Sequence, residues 1–142
     1  LPKNMTNEFE GGNYYKTAAA KAGCSTEGRG NNGKEKITSE LFIKWYNDYA
    51  MNAEGKYSPV SIRVKKTKKQ HAFTIIGRDS TNPNCFYIAD PGNGMVTTKI
   101  YLTDVDGELR VEAYMVNEAG KKSVQYNSSL KVLDMWRYIS QD

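Results

Sequence analysis

Histidine, cysteine and proline are scarce in this chain of 142 residues, which contains one histidine, two cysteines and four prolines. Two cysteines and one histidine cannot complete a structural zinc site without carboxylates, so we expect no metal centre and no other cofactor. No run approaches the roughly 18 apolar residues of a membrane-spanning helix, and we expect no membrane insertion. The excess of basic side chains, 20 against 16 acidic ones, favours an anionic partner only mildly.

Length and composition are those of one globular domain. A chain of this size buries close to 70% of its unfolded surface. Its hydrophobic, charged and aromatic fractions of 39%, 25% and 11% are ordinary for a globular protein. We therefore expect a single domain over residues 1–142. Because the sequence starts at Leu1 without an initiator methionine, we also expect this domain to come from a longer protein.

Three segments carry helix signals. Residues 14–22 are rich in alanine, and Thr17 can cap their start. Thr38 begins a clearer helix, whose apolar stripe repeats at helical spacing and consists of Leu41, Phe42, Trp45, Tyr46 and Tyr49. A spacing of three predicts a short helix in the tail, at Leu130, Leu133, Trp136 and Ile139. Residues 24–36, between the first two helices, are predicted to be a loop from their composition.

The middle of the chain carries strand signals. Apolar residues alternate with polar ones at 60–64 and 109–115, and continuous apolar runs occupy 72–76 and 85–89. Asp106 and Gly107 are typical of a two-residue hairpin turn. Helices come first and strands follow, so we expect an α+β fold in which N-terminal helices pack on a mostly antiparallel sheet.

The only histidine lies in the most informative of these strands. Turn-forming residues at 78–84 join two apolar runs, and a hairpin centred on them sets Phe73 opposite Ile88 and His71 opposite Asp90. One face of that hairpin would hold His71, Phe73, Ile75, Phe86, Ile88 and Asp90. A solitary histidine is more often structural than catalytic. An imidazole beside a carboxylate is, however, the base and its orienting group in a nucleophilic triad.

Two motifs in this region resemble a known family. They are His-Ala-Phe-x-Ile-Ile-Gly-x-Asp from residue 71 and Phe-Tyr-Ile-Ala-Asp-Pro-Gly-x-Gly from residue 86. Residues 58–94 resemble the C-terminal half of papain-like cysteine peptidases, above all the bacteriocin-processing branch and papain-like domains of secreted bacterial toxins and effectors. The resemblance implies a papain-like fold in which His71 is the general base and Asp90 orients it.

The nucleophile of such a site is open to three interpretations. Cys24 is the only cysteine before the histidine, but it follows the alanine-rich helix, whereas the family's cysteine begins a helix. In the second interpretation Ala19, at the start of that helix, stands where the family has its nucleophile. Asn13, six positions earlier, would then supply the oxyanion-hole amide. In the third, the site was never catalytic. A disulfide between Cys24 and Cys85 would exclude the first interpretation.

The resemblance implies a thiol hydrolase that cleaves amide bonds. Its substrate would be a protein, a peptide or the stem peptide of peptidoglycan, and an inhibitor or immunity protein is a further expected partner. The same resemblance places the protein among secreted or translocated bacterial proteins. The alternatives are a catalytically inactive papain-like binding or adaptor domain, and a toxin that uses the same triad for acyl transfer or deamidation.

A cluster of lysines precedes the histidine, at Lys65, Lys66, Lys68 and Lys69. These side chains could steer an acidic substrate towards the cleft, but a solvated turn is the preferred explanation. We expect no nucleic-acid binding, because the chain shows neither an aromatic platform nor a second basic stripe.

Overall fold

The structure, a computed structural model, describes residues 24–51, 59–89, 97–116, 122–124 and 130–140. In these ranges the chain forms eight strands and one α-helix. Their bounds are β1 Cys24–Arg29, α1 Ser39–Ala50, β2 Val60–Lys66, β3 Lys69–Arg78, β4 Cys85–Ala89, β5 Thr97–Val105, β6 Glu108–Val116, β7 Lys122–Val124 and β8 Leu130–Ser140. A short 3-10 helix, Asn31–Gly33, follows β1. The helix predicted at residues 14–22 lies outside the described ranges.

All strands belong to one antiparallel sheet, in the order β1-β8-β2-β3-β4-β5-β6-β7. The first two residues of β8 also pair with β6, through Leu130 with Val111 and Lys131 with Arg110. This extra pairing joins β2, β3, β4, β5, β6 and β8 into a closed six-stranded barrel. Strand β1 lies outside the barrel, along the second half of β8.

The expected α+β fold, with N-terminal helices packed on a mostly antiparallel sheet, is therefore wrong, and with it the papain-like architecture. The strands of the middle region form as predicted, but two further segments are also strands. Residues 24–29, predicted to be a loop, form β1, and residues 130–140, predicted to include a helix, form β8. Because β8 pairs with β2 on one side and with β6 and β1 on the other, it closes the sheet on itself.

A β-bulge explains why β8 does not look like a strand in the sequence. Ile62 and Val64 are two positions apart on β2, but their partners on β8, Met135 and Val132, are three positions apart. Strand β8 therefore contains one extra residue here. The extra residue places the inward-facing side chains of β8 three positions apart instead of two. Leu133, the residue skipped in this pairing, is buried as well. Apolar residues at such spacings resemble a helical pattern more than a strand.

A buried ion pair fixes the outer side of the barrel between β2 and β8. Arg63 donates from Nε and Nη2 to the carboxylate of Asp134, and both residues are more than nine-tenths buried. Trp136 Nε1 donates to the same carboxylate at 2.8 Å, and Asn32 of the 3-10 helix accepts from Arg63 at 2.8 Å. Gly30 allows the segment before the 3-10 helix to approach β8 closely, since a Cβ there would lie 2.7 Å from the backbone oxygen of Leu133.

Helix α1 begins as the sequence predicts. Thr38 caps it by accepting a hydrogen bond from the backbone N–H of Leu41 at 3.2 Å. Ser39 donates from its N–H and its hydroxyl to the carboxylate of Asp104, which ties the start of the helix to the end of β5. The predicted turn at Asp106 and Gly107 is also confirmed, because both residues have positive φ, of 52° and 74°. No helix in the described ranges is long and apolar enough to cross a membrane.

Candidate functional site

The two ends of the barrel are built differently, and helix α1 covers one of them. The helix buries the side of its surface formed by Phe42, Trp45, Tyr46, Tyr49 and Ala50. Phe42 and Tyr46 contact the ring of Phe86, an inward residue of β4, edge to face at centroid distances of 5.6 and 4.9 Å. We call this the helix end. It is filled by aromatic side chains that form one continuous core with the barrel interior.

The opposite end is formed by the turn between β2 and β3, and we call it the hairpin end. Val64 pairs with His71 and Lys66 pairs with Lys69, so these four positions share the inward face that begins with buried Val60 and Ile62. Along this face the side chains change from fully buried and apolar to charged. Strand β4 ends, strand β5 begins and strand β6 ends at the same end.

A cavity of about 140 Å³ lies at the hairpin end. Among the described residues it is lined by Val64, Lys66, Lys69, Gln70, His71 and Leu130. Val64 and Leu130 are almost completely buried and form its apolar floor, while the two lysines and the histidine are partly or fully exposed at its rim. A space with an apolar floor and a polar rim can hold a small amphipathic group.

His71 lies where β3 enters this cavity. Its side chain is half-buried, and its ring contacts the ring of Phe73 edge to face at a centroid distance of 4.8 Å. The position agrees with the predicted face of the sheet, because Phe73, Ile75, Phe86 and Ile88 are all buried in the core that His71 borders. An imidazole at the rim of a cavity can exchange protons with a group bound there.

The predicted register between the two strands of this hairpin is wrong by two residues. Ile88 pairs with Ile75 instead of Phe73, and a bulge after Ile75 shifts the pairing again before Arg78. A shift of two keeps each side chain on its predicted face but changes its neighbour across the strands. The opposition of His71 and Asp90 was derived from the predicted register. Asp90 itself lies outside the described ranges.

The backbone does not bring Cys24 and His71 together. Cys24 pairs with Ser140 at the end of β8. Val64 pairs with His71 on one side and with Val132 of β8 on the other, so His71 lies at the height of Val132 along the barrel. Eight residues of β8 (140 − 132) separate the two levels, which is about 26 Å at about 3.3 Å per residue. Cys24 therefore does not reach the imidazole as a nucleophile in this arrangement. The other two predicted positions, Asn13 and Ala19, lie outside the described ranges.

The two cysteines are also far from each other. Cys85 is buried in β4, and β8, β2 and β3 lie between β4 and β1 along the sheet. In the closed six-stranded barrel β4 lies opposite β8, with β1 beyond β8, and packed sheet walls are about 10 Å apart, which exceeds the Cα separation of about 7 Å beyond which a disulfide cannot form. The disulfide left open by the sequence is thus incompatible with the positions of Cys24 and Cys85. No group of three or more potential metal ligands occurs in the described ranges.

Sequence reasoning did not single out three residues that line the cavity, namely Val64, Gln70 and Leu130. The four lysines of the cluster are close together in the sequence. The alternation of inward and outward residues along β2 could have shown that Lys65 and Lys66 lie on opposite faces. Lys66 continues the inward series that includes Val64, whereas Lys65 pairs with Gln70 and Lys131 on the outer face. Leu130 could not be found, because it belongs to a segment that was predicted to be helical.

Comparison of the chain with protein-family models, with curated proteins and with solved structures gives no match in any of the three. The resemblance of residues 58–94 to papain-like peptidases thus stays a sequence-based prediction.

Proposed function

We propose that the protein is a binding domain that admits one side chain of a peptide or protein partner into the cavity beside His71. The observation that carries this proposal is the cavity itself. At the hairpin end Val64, Leu130 and the residues above them surround about 140 Å³ of space with an apolar floor and a polar rim, beside the cluster of buried residues that forms the core.

The size of the cavity indicates what it holds. Pockets for whole cofactors and drug-sized ligands measure about 300–1,000 Å³, so this one is too small for them. A cavity of about 150 Å³ is known to accommodate benzene, which has six heavy atoms. A volume of about 140 Å³ therefore suits one amino-acid side chain, with the rest of the partner lying across the hairpin end.

The position of the cavity supports the same proposal. Barrel ends are common places for ligands, and the helix end of this barrel is occupied by α1. The exposed turn between β2 and β3 lies at the hairpin end, and binding surfaces are built disproportionately from such connections on a rigid scaffold.

A binding experiment tests this proposal through His71, which is the only histidine and therefore gives a single set of imidazole signals in NMR spectra. The probes are N-acetyl methylamides of single amino acids, with acidic, amide, basic, aliphatic and aromatic side chains. We expect at least one of them to shift the imidazole signals in a saturable way. If none does so at millimolar concentration, the proposal is wrong.

A pair of variants locates the binding. Leu130→Phe places a larger side chain in the floor of the cavity and should abolish the shift. Ile76→Phe adds the same ring on the outer face, where Ile76 is 61% exposed, and should leave the shift unchanged. Equal binding by both variants would contradict the proposal, and their urea midpoints show whether each is folded.

Amide hydrolysis, the activity implied by the sequence resemblance, is the second candidate function. The observation that favours it is the position of His71 at the cavity rim, within reach of a group bound there. The thiolate of a cysteine would attack the amide carbonyl to form an acyl-enzyme, and His71 would deliver the proton to the departing amine. Water would then release the acid. Because Cys24 is remote, this candidate depends on the interpretation that Ala19 occupies the nucleophile's position.

Restoring the cysteine tests the second candidate. We expect Ala19→Cys to hydrolyse labelled casein or peptidoglycan stem peptides, and Ala18→Cys and Ala20→Cys, its matched controls, to stay inactive. His71→Ala should abolish the activity, whereas Cys24→Ala should not change it. Mass analysis of the products distinguishes hydrolysis from acyl transfer or deamidation. Inactivity of both the parent chain and Ala19→Cys would contradict this candidate.

A further inference from the structure

The lysine cluster at the hairpin end is divided between two faces of the barrel. Lys66 and Lys69 pair directly with each other on the inward face and line the cavity. Lys65 lies on the outer face beside Gln70 and Lys131, and Lys68 is exposed in the turn. Two of the four lysines thus border the cavity and two do not.

The cluster is not neutralised by neighbouring carboxylates, a property that it shares in the described ranges with Lys34, Lys36, Lys44 and Arg78. In the described ranges Lys65, Lys66, Lys68 and Lys69 have no carboxylate within 4 Å. Several other basic side chains of the same ranges do, namely Arg29, Arg63, Lys99, Arg110, Lys131 and Arg137. Like charges at directly opposite positions of two strands are destabilising, and this applies to Lys66 and Lys69. An anion between them would relieve that repulsion.

The turn that positions the lysines is strained. Thr67, between Lys66 and Lys68, has φ of 54°, in the left-handed region that a β-branched residue rarely adopts. Backbone strain of this kind is often found where a chain positions functional side chains. The turn therefore supports the assignment of a binding role to the lysines beside it, although the cavity and the charges carry the argument.

From these observations we infer that the cavity selects a carboxylate-bearing side chain, so that the partner is an acidic peptide or an acidic segment of a protein. The carboxylate lies between the ammonium groups of Lys66 and Lys69, and the methylene stem packs on Val64 and Leu130. The inference rests on the proposed function and adds the chemical class of the side chain that enters. The apolar floor favours a carboxylate on a short stem over a bare inorganic anion, because only the former covers that floor.

The test compares isosteric probes. N-acetyl-glutamate methylamide and N-acetyl-glutamine methylamide differ only in charge, and inorganic phosphate supplies an anion without a stem. We expect the glutamate probe to shift the imidazole signals of His71 with at least about tenfold higher affinity than the glutamine probe, as for hydrogen bonds to charged groups. Its affinity should fall when salt is raised from about 0.05 to about 0.5 M.

Two double variants of equal charge locate the effect. Lys66→Gln/Lys69→Gln removes the two ammonium groups at the cavity, and Lys65→Gln/Lys68→Gln removes the two that lie elsewhere on the hairpin. We expect the first variant to lose about tenfold in affinity for the glutamate probe and the second less than about threefold. All four positions are on or near the surface, and the urea midpoints of both variants should stay close to that of the parent.

The outcomes separate this inference from the proposed function. If the glutamine probe binds as tightly as the glutamate probe, the cavity binds side chains but the acidic class is wrong. If phosphate binds as tightly as the glutamate probe, or if both double variants lose affinity equally, the two cavity lysines do not select a side chain and the inference is overturned. If no probe of any class shifts His71, the proposed function fails together with it.

Discussion

The interior of this barrel is covered differently at the helix end and at the hairpin end. At the helix end an amphipathic helix covers the interior, and the aromatic rings of Phe42, Tyr46 and Phe86 meet in the core. Arg78 extends over the Phe86 ring at 5.5 Å and donates to Asn47 at 2.9 Å. At the hairpin end the inward positions carry lysines and a histidine, and they leave a cavity.

We interpret the difference as a division between an end that serves stability and an end that serves the proposed binding. An end that is packed and hydrogen-bonded contributes burial free energy, and changes there reduce the stability of the whole domain. An end with a cavity and two directly opposed lysines contributes less, and the proposed ligand would explain its composition. The following predictions test this division, from the largest expected effect to the smallest.

Truncation of Phe86 should have the largest effect. Phe86→Ala removes a fully buried ring that contacts two residues of α1, and we expect a loss of about 3–5 kcal/mol in the free energy of unfolding. His71→Ala, at the other end, removes a half-buried ring that contacts Phe73 and should cost about 1 kcal/mol. Urea denaturation of both variants measures these values. Equal losses would remove the distinction between the two ends.

The buried ion pair gives the next largest effect. Asp134→Asn leaves Arg63 buried without its carboxylate, and we expect a loss of about 3 kcal/mol or more. The matched control is Asp48→Asn, which breaks the partly exposed pair with Arg29 and should cost less than about 1 kcal/mol. Thermal and urea unfolding measure both variants. A small effect of Asp134→Asn would mean that Arg63 reaches solvent.

A substitution at the hairpin end should have the opposite sign. Thr67→Gly relieves the left-handed backbone conformation at φ of 54°, and we expect a gain of about 0.5–1 kcal/mol after the higher unfolded-state entropy of glycine is included. Thr67→Ala keeps a Cβ at the same position and should gain less. The urea midpoints of the three proteins provide the comparison. A destabilised glycine variant would show that the turn is not strained.

The smallest effect concerns pH at the loop before β4. Asp79 accepts hydrogen bonds from the N–H and hydroxyl of Thr81 and from the N–H of Asn82, and these bonds lower its pKa from 3.8 to about 2. A carboxyl whose pKa is lower in the folded state stabilises the fold above its unfolded pKa, and the contribution disappears as pH falls towards 2.

A variant isolates this contribution. Asp79→Asn keeps an acceptor oxygen but does not titrate, so its melting temperature should fall less than that of the parent between pH 4 and pH 2. Parallel thermal melts at pH 5, 4, 3 and 2 measure the difference. Identical pH dependence of the two proteins would show that Asp79 does not contribute in this way.

The elements that sequence reasoning predicted correctly depend on local signals. Helix α1 has its Thr38 cap and an apolar stripe within twelve residues, and the turn at Asp106 and Gly107 needs only two residues with positive φ. Strands β1 and β8 were missed because their pairing partners are distant in sequence. The polar residues of β1 become a strand only through the pairing of Cys24–Arg29 with Ser140–Met135.

The site was predictable in part, for a similar reason. The period of two identified the face on which His71 lies, and the structure confirms that face for the buried residues around it. The alternation of side chains does not reveal β-bulges, so the register predicted from it did not include the bulge after Ile75. The alternation of β2 extends to Lys66, and Lys69 of β3 is paired with it, but the cavity beside them also required β8 and its Leu130.

The double pairing of β8 has a consequence for biosynthesis. The strands from β2 to β6 can pair as neighbours while the chain is being made, but the seam between β2 and β6 stays unsealed until residues 130–140 emerge, more than sixty positions after β2 ends. Until then two strand edges are available to other nascent chains. Ribosome-bound intermediates that stop before residue 130 should therefore depend on chaperones, and release of β8 should end that dependence.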